Sequence, residues 1–170
     1  LKNLGFDPGK DFALVSTTGR IPLLLIASPS FEAKTASDFI ARVKAAPGKY
    51  SYASPGQGTP HHIAMELLKQ RAKLHIVHIP YRGGAPALSD VAGGQVPLMM
   101  ADLAFSYGFI KAGKVQALAI ADDRRLPQLP DVPTFAEIGI SGMDAAAFSA
   151  VVAPAGTPKP VVAALNKAID

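Results

Sequence analysis

Two glycine-containing loops carry the residues that could hold a small anion. The first, Ser54-Pro55-Gly56-Gln57-Gly58-Thr59, follows a strand pattern and leads into a helix that Thr59 would cap, with Pro60 at its first position. Glycines let a ligand approach the backbone, and the free N–H groups of a helix N-terminus favour carboxylate or phosphate. An ordinary strand–helix turn would show the same pattern, so both interpretations stay open.

The second loop, Pro80-Tyr81-Arg82-Gly83-Gly84-Ala85, offers an amphipathic Tyr, a cation and the start of another helix. Arg82 could clamp a carboxylate, although an exposed loop Arg is usually only solvated. Asp102 ends a third strand pattern, where it could bind a ligand group or cap the following helix. Capping is the favoured interpretation because Asp is a preferred N-cap residue.

Other chemistries lack their motifs. His61 stands where a dinucleotide fingerprint needs its third glycine, and no Lys-Ser/Thr follows for a P-loop. Ser54 is not in the Gly-x-Ser-x-Gly elbow of a hydrolase. No nucleophile–base pair emerges, which favours binding over turnover; the chain is predicted not to be an enzyme and to need no cofactor.

The histidines do not form a metal site by their spacing. His75 and His78 would face opposite sides of a strand, and His61 and His62 are adjacent on a helix without a suitably spaced carboxylate. His62 and Glu66, four residues apart, are predicted to pair on one helix face. The chain has no cysteine, which excludes thiolate ligands and disulfides.

The elements that position these loops alternate between strand and helix. This alternation predicts an α/β layer with a largely parallel sheet. Strands are predicted at residues 22–27, 49–54, 76–81, 96–101 and 115–121, with helices beginning near Thr35 and Thr59 and over 85–92 and 105–112. Beyond them we expect a proline-rich connector (126–133), a helix (134–139), a strand (148–153) and a final helix (161–170), whereas residues 1–19 read as an irregular lead-in with a short strand at 12–15.

The portion from about 30 to 121 reads as self-contained. Apolar strands at 23–27 and 149–153 flank it, as two hinge strands would flank an inserted domain. The net charge of +4 comes from scattered residues, so nucleic-acid binding has little support. The longest apolar run, 21–27, is far short of the roughly 20 residues that span a bilayer, so no membrane insertion is predicted.

Several ordered motifs together resemble one family. They are YASPGQGT (52–59) with His62 and Glu66, HIPYRGGAPA (78–87), GGQV (93–96), KAGK (111–114), LPDVPT (129–134) with Glu137 and Gly139, and APAGTP (153–158). In this order they resemble the substrate-binding proteins of tripartite tricarboxylate transporters, the TctC or Bug receptors. The similarity runs from about Phe6 to the end of the chain.

The resemblance implies a periplasmic receptor with a bilobal, type II Venus-flytrap fold. It implies a small mono-, di- or tricarboxylate or aromatic acid held between the lobes, often through ordered water, and the membrane components of the transporter as partners. The residues that match the family's binding loops are Ser54, Gly56, Gln57, Gly58, Thr59, Tyr81, Gly83, Gly84, Ala85 and Asp102.

The resemblance also implies a division of the chain. Residues 1–27 would end a first-lobe segment and include a hinge strand, 28–121 would form the second α/β lobe, 122–148 a connector, and 149–170 a second hinge strand with the start of a first-lobe helix. A family segment with a further ligand loop and any signal peptide are missing before Leu1, so we expect a fragment. The alternative function is a ligand-sensing domain of the same fold in signalling or transcriptional regulation, which would need an attached DNA-binding motif.

Overall fold

The computed structural model describes residues 5–169, which form two compact units. Residues 22–147 make the larger unit, and residues up to 21 together with those from 148 onward make the smaller one. The strands are β1 Phe12–Ile21, β2 Leu23–Ala27, β3 Ser51–Ser54, β4 Val77–Pro80, β5 Leu98–Asp102, β6 Gln116–Ala121 and β7 Ala147–Pro154. The helices are α1 Ala36–Ala45, α2 Pro60–Ala72, α3 Gly84–Ala92, α4 Leu103–Lys111 and α5 Lys159–Ile169.

A five-stranded sheet in the order β4-β3-β5-β2-β6 forms the centre of the larger unit. β3 is parallel to β4 and β5, whereas β2 is antiparallel to both β5 and β6. Four strands therefore run in one direction and β2 runs against them. The predicted α/β class is confirmed, and the sheet is mixed rather than wholly parallel.

Hydrophobic residues cover both faces of this sheet. All five residues of β2 are buried, because alternate side chains enter opposite layers. Leu23 and Leu25 pack in one layer with residues of α1 and α2, and Leu24 and Ile26 pack in the other with residues of α3 and α4. The larger unit is therefore a three-layer α/β/α arrangement whose core is internal to it.

The helix predicted at 134–139 is wrong; the segment consists of a β-bridge and turns. Its local capping signal forms, since the Thr134 N–H donates to Glu137 Oε2 at 2.7 Å and the Glu137 N–H donates to Thr134 Oγ1 at 3.2 Å. However, Ile120 of β6 donates its N–H to Pro133 O, and the Phe135 N–H donates to Ile120 O. Pairing with the sheet edge, together with burial of Phe135, replaces the helix.

The division of the chain differs from the predicted boundaries. β2 lies between β5 and β6 inside the larger unit instead of flanking it, and residues 122–147 belong to that unit too. The chain passes between the two units at 21–22 and at 147–148. The hinge role of the strands near these points stays a prediction.

The smaller unit consists of β1 paired with β7, and of α5. The Asn166 side-chain amide donates to Val15 O at 2.9 Å, joining helix to strand. β1 is longer than the predicted strand at 12–15, so the irregular lead-in ends at Phe12; residues 1–4 and 170 lie outside the described residues. Within the described part of the chain, no helix has the length and hydrophobicity to cross a bilayer.

Candidate functional site

The two predicted loops lie side by side because the hydrogen bonding of β3 and β4 continues into them. The Tyr81 N–H donates to Ser54 O at 2.9 Å, and the Gly83 N–H donates to Pro55 O at 3.0 Å. Gly83 has φ +113°, a region that favours glycine. These bonds fix the entry to α3 against the end of β3.

A crevice opens between β3 and β5, which are neighbours in the sheet. The helix after β3 covers one face of the sheet, and the helix after β5 packs on the other. Ligands of α/β sheets bind at such switch points, beyond the carboxyl ends of the strands. A pocket of about 320 Å³ lies here, within the larger unit, and is lined by Pro55, His61, Gly84, Ala85, Met99, Asp102 and Phe105.

The N-terminus of α3 is open toward this pocket. Its N-cap is Gly83, and no side chain among residues 5–169 caps it. The first N–H groups of a helix have no intrahelical acceptor. The Gly83 N–H is used by Pro55, and Pro86 has no N–H, so Gly84 and Ala85 are the two donors left at this end. Both residues line the pocket. The other N-termini in the larger unit are capped by Thr35, Thr59 and Asp102.

Asp102 also lines the pocket, and both of its carboxylate oxygens contact neighbouring residues. Its Oδ1 accepts the Phe105 N–H at 3.1 Å, which confirms the predicted cap of α4. Its Oδ2 lies 3.1 Å from His61 Nε2. The hydrogen bond from His61, followed by that from the Phe105 N–H, lowers the pKa of Asp102 despite its partial burial. The carboxylate is therefore ionised, and each of its oxygens already has a hydrogen-bond partner.

His61 is a pocket residue whose side chain is only 14% exposed. Its Nδ1 is buried and has no hydrogen-bond partner among the described residues. A Cβ added at Gly84 would lie 3.4 Å from the Phe105 ring, so the wall formed by α3 and α4 is closely packed. Met99 and Phe105 supply apolar lining next to the two free N–H groups.

The interior of the first loop is held by side-chain bonds. Ser54 is fully buried, and its Oγ lies 2.7 Å from His78 Nε2 and accepts the Gly56 N–H at 3.2 Å. Thr59 accepts the His62 N–H at 3.4 Å and donates to Gly56 O at 2.8 Å. The predicted cap of α2 is confirmed. Ser54 and Thr59 shape the loop from inside.

Behind the loop, His62 and His78 stack with ring centroids 4.2 Å apart, and Tyr52 stacks on His78 at 4.8 Å. The predicted pairing of His62 with Glu66 is wrong. His62 Nδ1 accepts the Gly58 N–H at 3.2 Å, whereas Glu66 accepts hydrogen bonds from the Tyr52 hydroxyl and from Lys69. Burial would raise the pKa of Glu66, but these two hydrogen bonds lower it.

The predicted site residues fall into two sets. Gly84, Ala85 and Asp102 line the pocket, and Gln57 and Gly58 are exposed on the neighbouring loop. The other set supports the loops: Ser54, Gly56, Thr59, Tyr81 and Gly83. The Tyr81 hydroxyl donates to Asp90 Oδ2 at 2.7 Å, and burial together with this bond raises the pKa of Tyr81 to about 12. Ligand contact by any of the ten residues stays a prediction.

Four further pocket residues lie outside the ten predicted site residues, although Pro55 belongs to the predicted first loop: Pro55, His61, Met99 and Phe105. Phe105 could have been found, because it lies one helical turn after the cap Asp102. His61 could not, since its partner Asp102 is 41 residues away and no local spacing joins them. Among residues 5–169, no group of three His, Cys, Asp or Glu side chains could hold a metal ion.

The crevice and the open helix end define an α/β domain suited to binding a small anion. Residues 1–170 match the TctC family, described as "Tripartite tricarboxylate transporter family receptor", and the chain belongs to this family. It is 34% identical to Protein BugT of Bordetella pertussis over 161 residues, covering 95% of this chain and 49% of that protein. It is 36% identical to a UPF0065 protein from the tcbD-tcbE intergenic region of Pseudomonas sp. (strain P51), covering 97% of this chain and 49% of that protein.

Solved structures agree with this assignment. R. palustris Rpa4515 with adipate superposes with a TM-score of 0.91 at 34% identity, covering 99% of this chain and 56% of that one. MatC (Rpa3494) from Rhodopseudomonas palustris with bound malate superposes with a TM-score of 0.88 at 35% identity, covering 98% of this chain and 57% of that one. The predicted fold and family are therefore confirmed. The structure of the periplasmic binding protein BugD is also similar, with a TM-score of 0.88 at 34% identity, covering 99% of this chain and 56% of that one. The chain spans about half the length of the relatives it matches.

Proposed function

We propose that this protein is a periplasmic receptor that captures a small carboxylate and delivers it to the membrane components of a tripartite tricarboxylate-type transporter. One carboxylate of the ligand binds the N–H groups of Gly84 and Ala85. The open N-terminus of α3 carries this proposal, because its two adjacent donors, the N–H groups of Gly84 and Ala85, belong to residues that line the pocket.

The lining of the pocket supports a small organic acid as the ligand. The volume of about 320 Å³ suits a molecule of a few carbons. Met99 and Phe105 offer apolar contact for its carbon chain. The ionised Asp102 is satisfied by His61 and α4, and it disfavours a second carboxylate at its own side of the pocket. Related proteins hold adipate and malate, which are acids of this size.

Substitution of Ala85 tests this proposal. Ala85→Glu places a carboxylate in the first turn of α3, where it stabilises the helix by about 0.5 kcal/mol and repels a carboxylate ligand. Calorimetric titration of the full-length protein with a panel that includes malate and adipate should identify a binder. Ala85→Glu should weaken that binder at least about tenfold without lowering the melting temperature.

Ala85→Gln is the matched control, since it has the same size without the charge. It should bind the ligand clearly more tightly than Ala85→Glu does, because the two variants add the same volume and differ only in charge. Equal affinity of the Glu and Gln variants would overturn the placement of the carboxylate at α3. Failure of the parent protein to bind any member of the panel would overturn the receptor function itself.

A further inference from the structure

The amide of Gly58 is held by a ring nitrogen that can be protonated. The Gly58 N–H donates to His62 Nδ1 at 3.2 Å, so this nitrogen must be unprotonated and the imidazole neutral. Gly58 has φ +78°, and a Cβ there would meet open space. The hydrogen bond to His62 therefore restrains a point of the loop whose Cβ direction is open.

The ring of His62 is fixed by its neighbours. It stacks on His78 of β4, which in turn stacks on Tyr52 of β3. His78 also lies 2.7 Å from the Ser54 hydroxyl, at the start of the same loop. The stacked rings thus connect to both ends of the loop, at Ser54 and at Gly58.

The charged groups around the stack come from α2. Glu66 accepts the Tyr52 hydroxyl at 2.5 Å and the Lys69 ammonium at 2.6 Å, so its charge is already compensated. Burial, and then the neighbouring His62, lowers the pKa of His78, with Glu66 opposing and Lys69 adding to the effect. The lowered pKa of His78 disfavours its charged form, and of the two stacked histidines it is His62 whose ring nitrogen holds the Gly58 amide.

We propose that His62 is a positioning residue for the ligand loop: its neutral ring holds the Gly58 amide in place, and protonation at Nδ1 releases that amide and loosens the loop. Protonation turns the nitrogen from an acceptor into a donor, so it cannot accept the Gly58 N–H. The link to transport rests on the proposed receptor function, whereas the coupling of His62 to Gly58 does not.

Nuclear magnetic resonance of the full-length protein without ligand tests the coupling. In a pH titration, the Gly58 amide signal should move with the same midpoint as the ring protons of His62. Below that midpoint, the protection of the Gly58 amide against hydrogen exchange should fall about tenfold. A Gly58 signal that stays fixed while His62 titrates would overturn the proposal.

Two variants separate positioning from a merely structural role. His62→Asn keeps an acceptor near the place of Nδ1 but cannot titrate, so Gly58 should stay protected with no pH response. His62→Phe keeps a ring for stacking but has no acceptor, so Gly58 should lose about tenfold protection at every pH. Full protection in His62→Phe would contradict the proposal, with the Leu68 amide in α2 reporting that the variant is folded. If His62→Phe does not fold, the pH titration of the parent protein alone tests the proposal.

Discussion

Asp102 acts on two parts of the molecule through its two carboxylate oxygens. One oxygen caps α4 through the Phe105 N–H, and the other lies 3.1 Å from His61 across the wall of the pocket. The sequence presented capping and ligand contact as alternatives for this residue. The structure shows that capping and pocket lining occur together, because the residue that caps a helix after a strand necessarily lies at the strand's carboxyl end.

Substitution of Asp102 should lower stability in a pH-dependent way. Asp102→Ala removes the cap and should reduce the free energy of unfolding by about 1 kcal/mol at pH 7. Asp102→Asn keeps an acceptor for Phe105 and should lose less. Because the pKa of Asp102 is lowered in the folded protein, its charge stabilises the fold above about pH 4 and this contribution disappears as the pH falls further. Urea unfolding of the three proteins at pH 7 and pH 3 measures this; a difference between wild type and Asp102→Asn that grows in acid would contradict it.

Among the elements, local signals placed most helices and strands correctly. Thr35, Thr59 and Asp102 cap α1, α2 and α4 as their positions before apolar stripes predict. The segment 134–139 carries a similar signal and forms its capping bonds. However, backbone hydrogen bonds with Ile120 pair the start of this segment with the sheet, and no helix forms. A pairing of residues so far apart in the chain is invisible to local patterns, which is why this element was predicted wrongly.

The cap of α2 offers a test at this level. Thr59→Ala removes the acceptor for the His62 N–H and the donor to Gly56 O, and it should lower the free energy of unfolding by about 1 kcal/mol. Thr59→Ser keeps the hydroxyl and serves as the control, with stability near that of the parent protein. Thermal and urea unfolding give both values. An equal loss in the Ser and Ala variants would show that the methyl group, and not the cap, stabilises this helix.

At the level of the whole chain, the apolar run Leu23–Ala27 correctly predicted a strand covered on both faces. Its place in the sheet was not predictable, because strand order and the antiparallel direction of β2 depend on pairing with β5 and β6 much later in the chain. Because β2 pairs within this sheet, the larger unit begins at Pro22 and not at residue 28. The loops of the site could be predicted because strand ends and glycines are local features of the sequence. His61 could not, because only the folded chain brings it next to Asp102.

The central claim is that the open N-terminus of α3 binds a carboxylate, and the amide signals of that helix test it most directly. Titration of the isotope-labelled, full-length protein with the carboxylate that binds it should shift the Gly84 and Ala85 amides strongly, since both would become hydrogen-bonded to an anion. The amides of Ala36 and Ser37, at the N-terminus of α1 and outside this pocket, serve as the reference, and their signals should not shift. Saturation with unchanged Gly84 and Ala85 signals would contradict the claim.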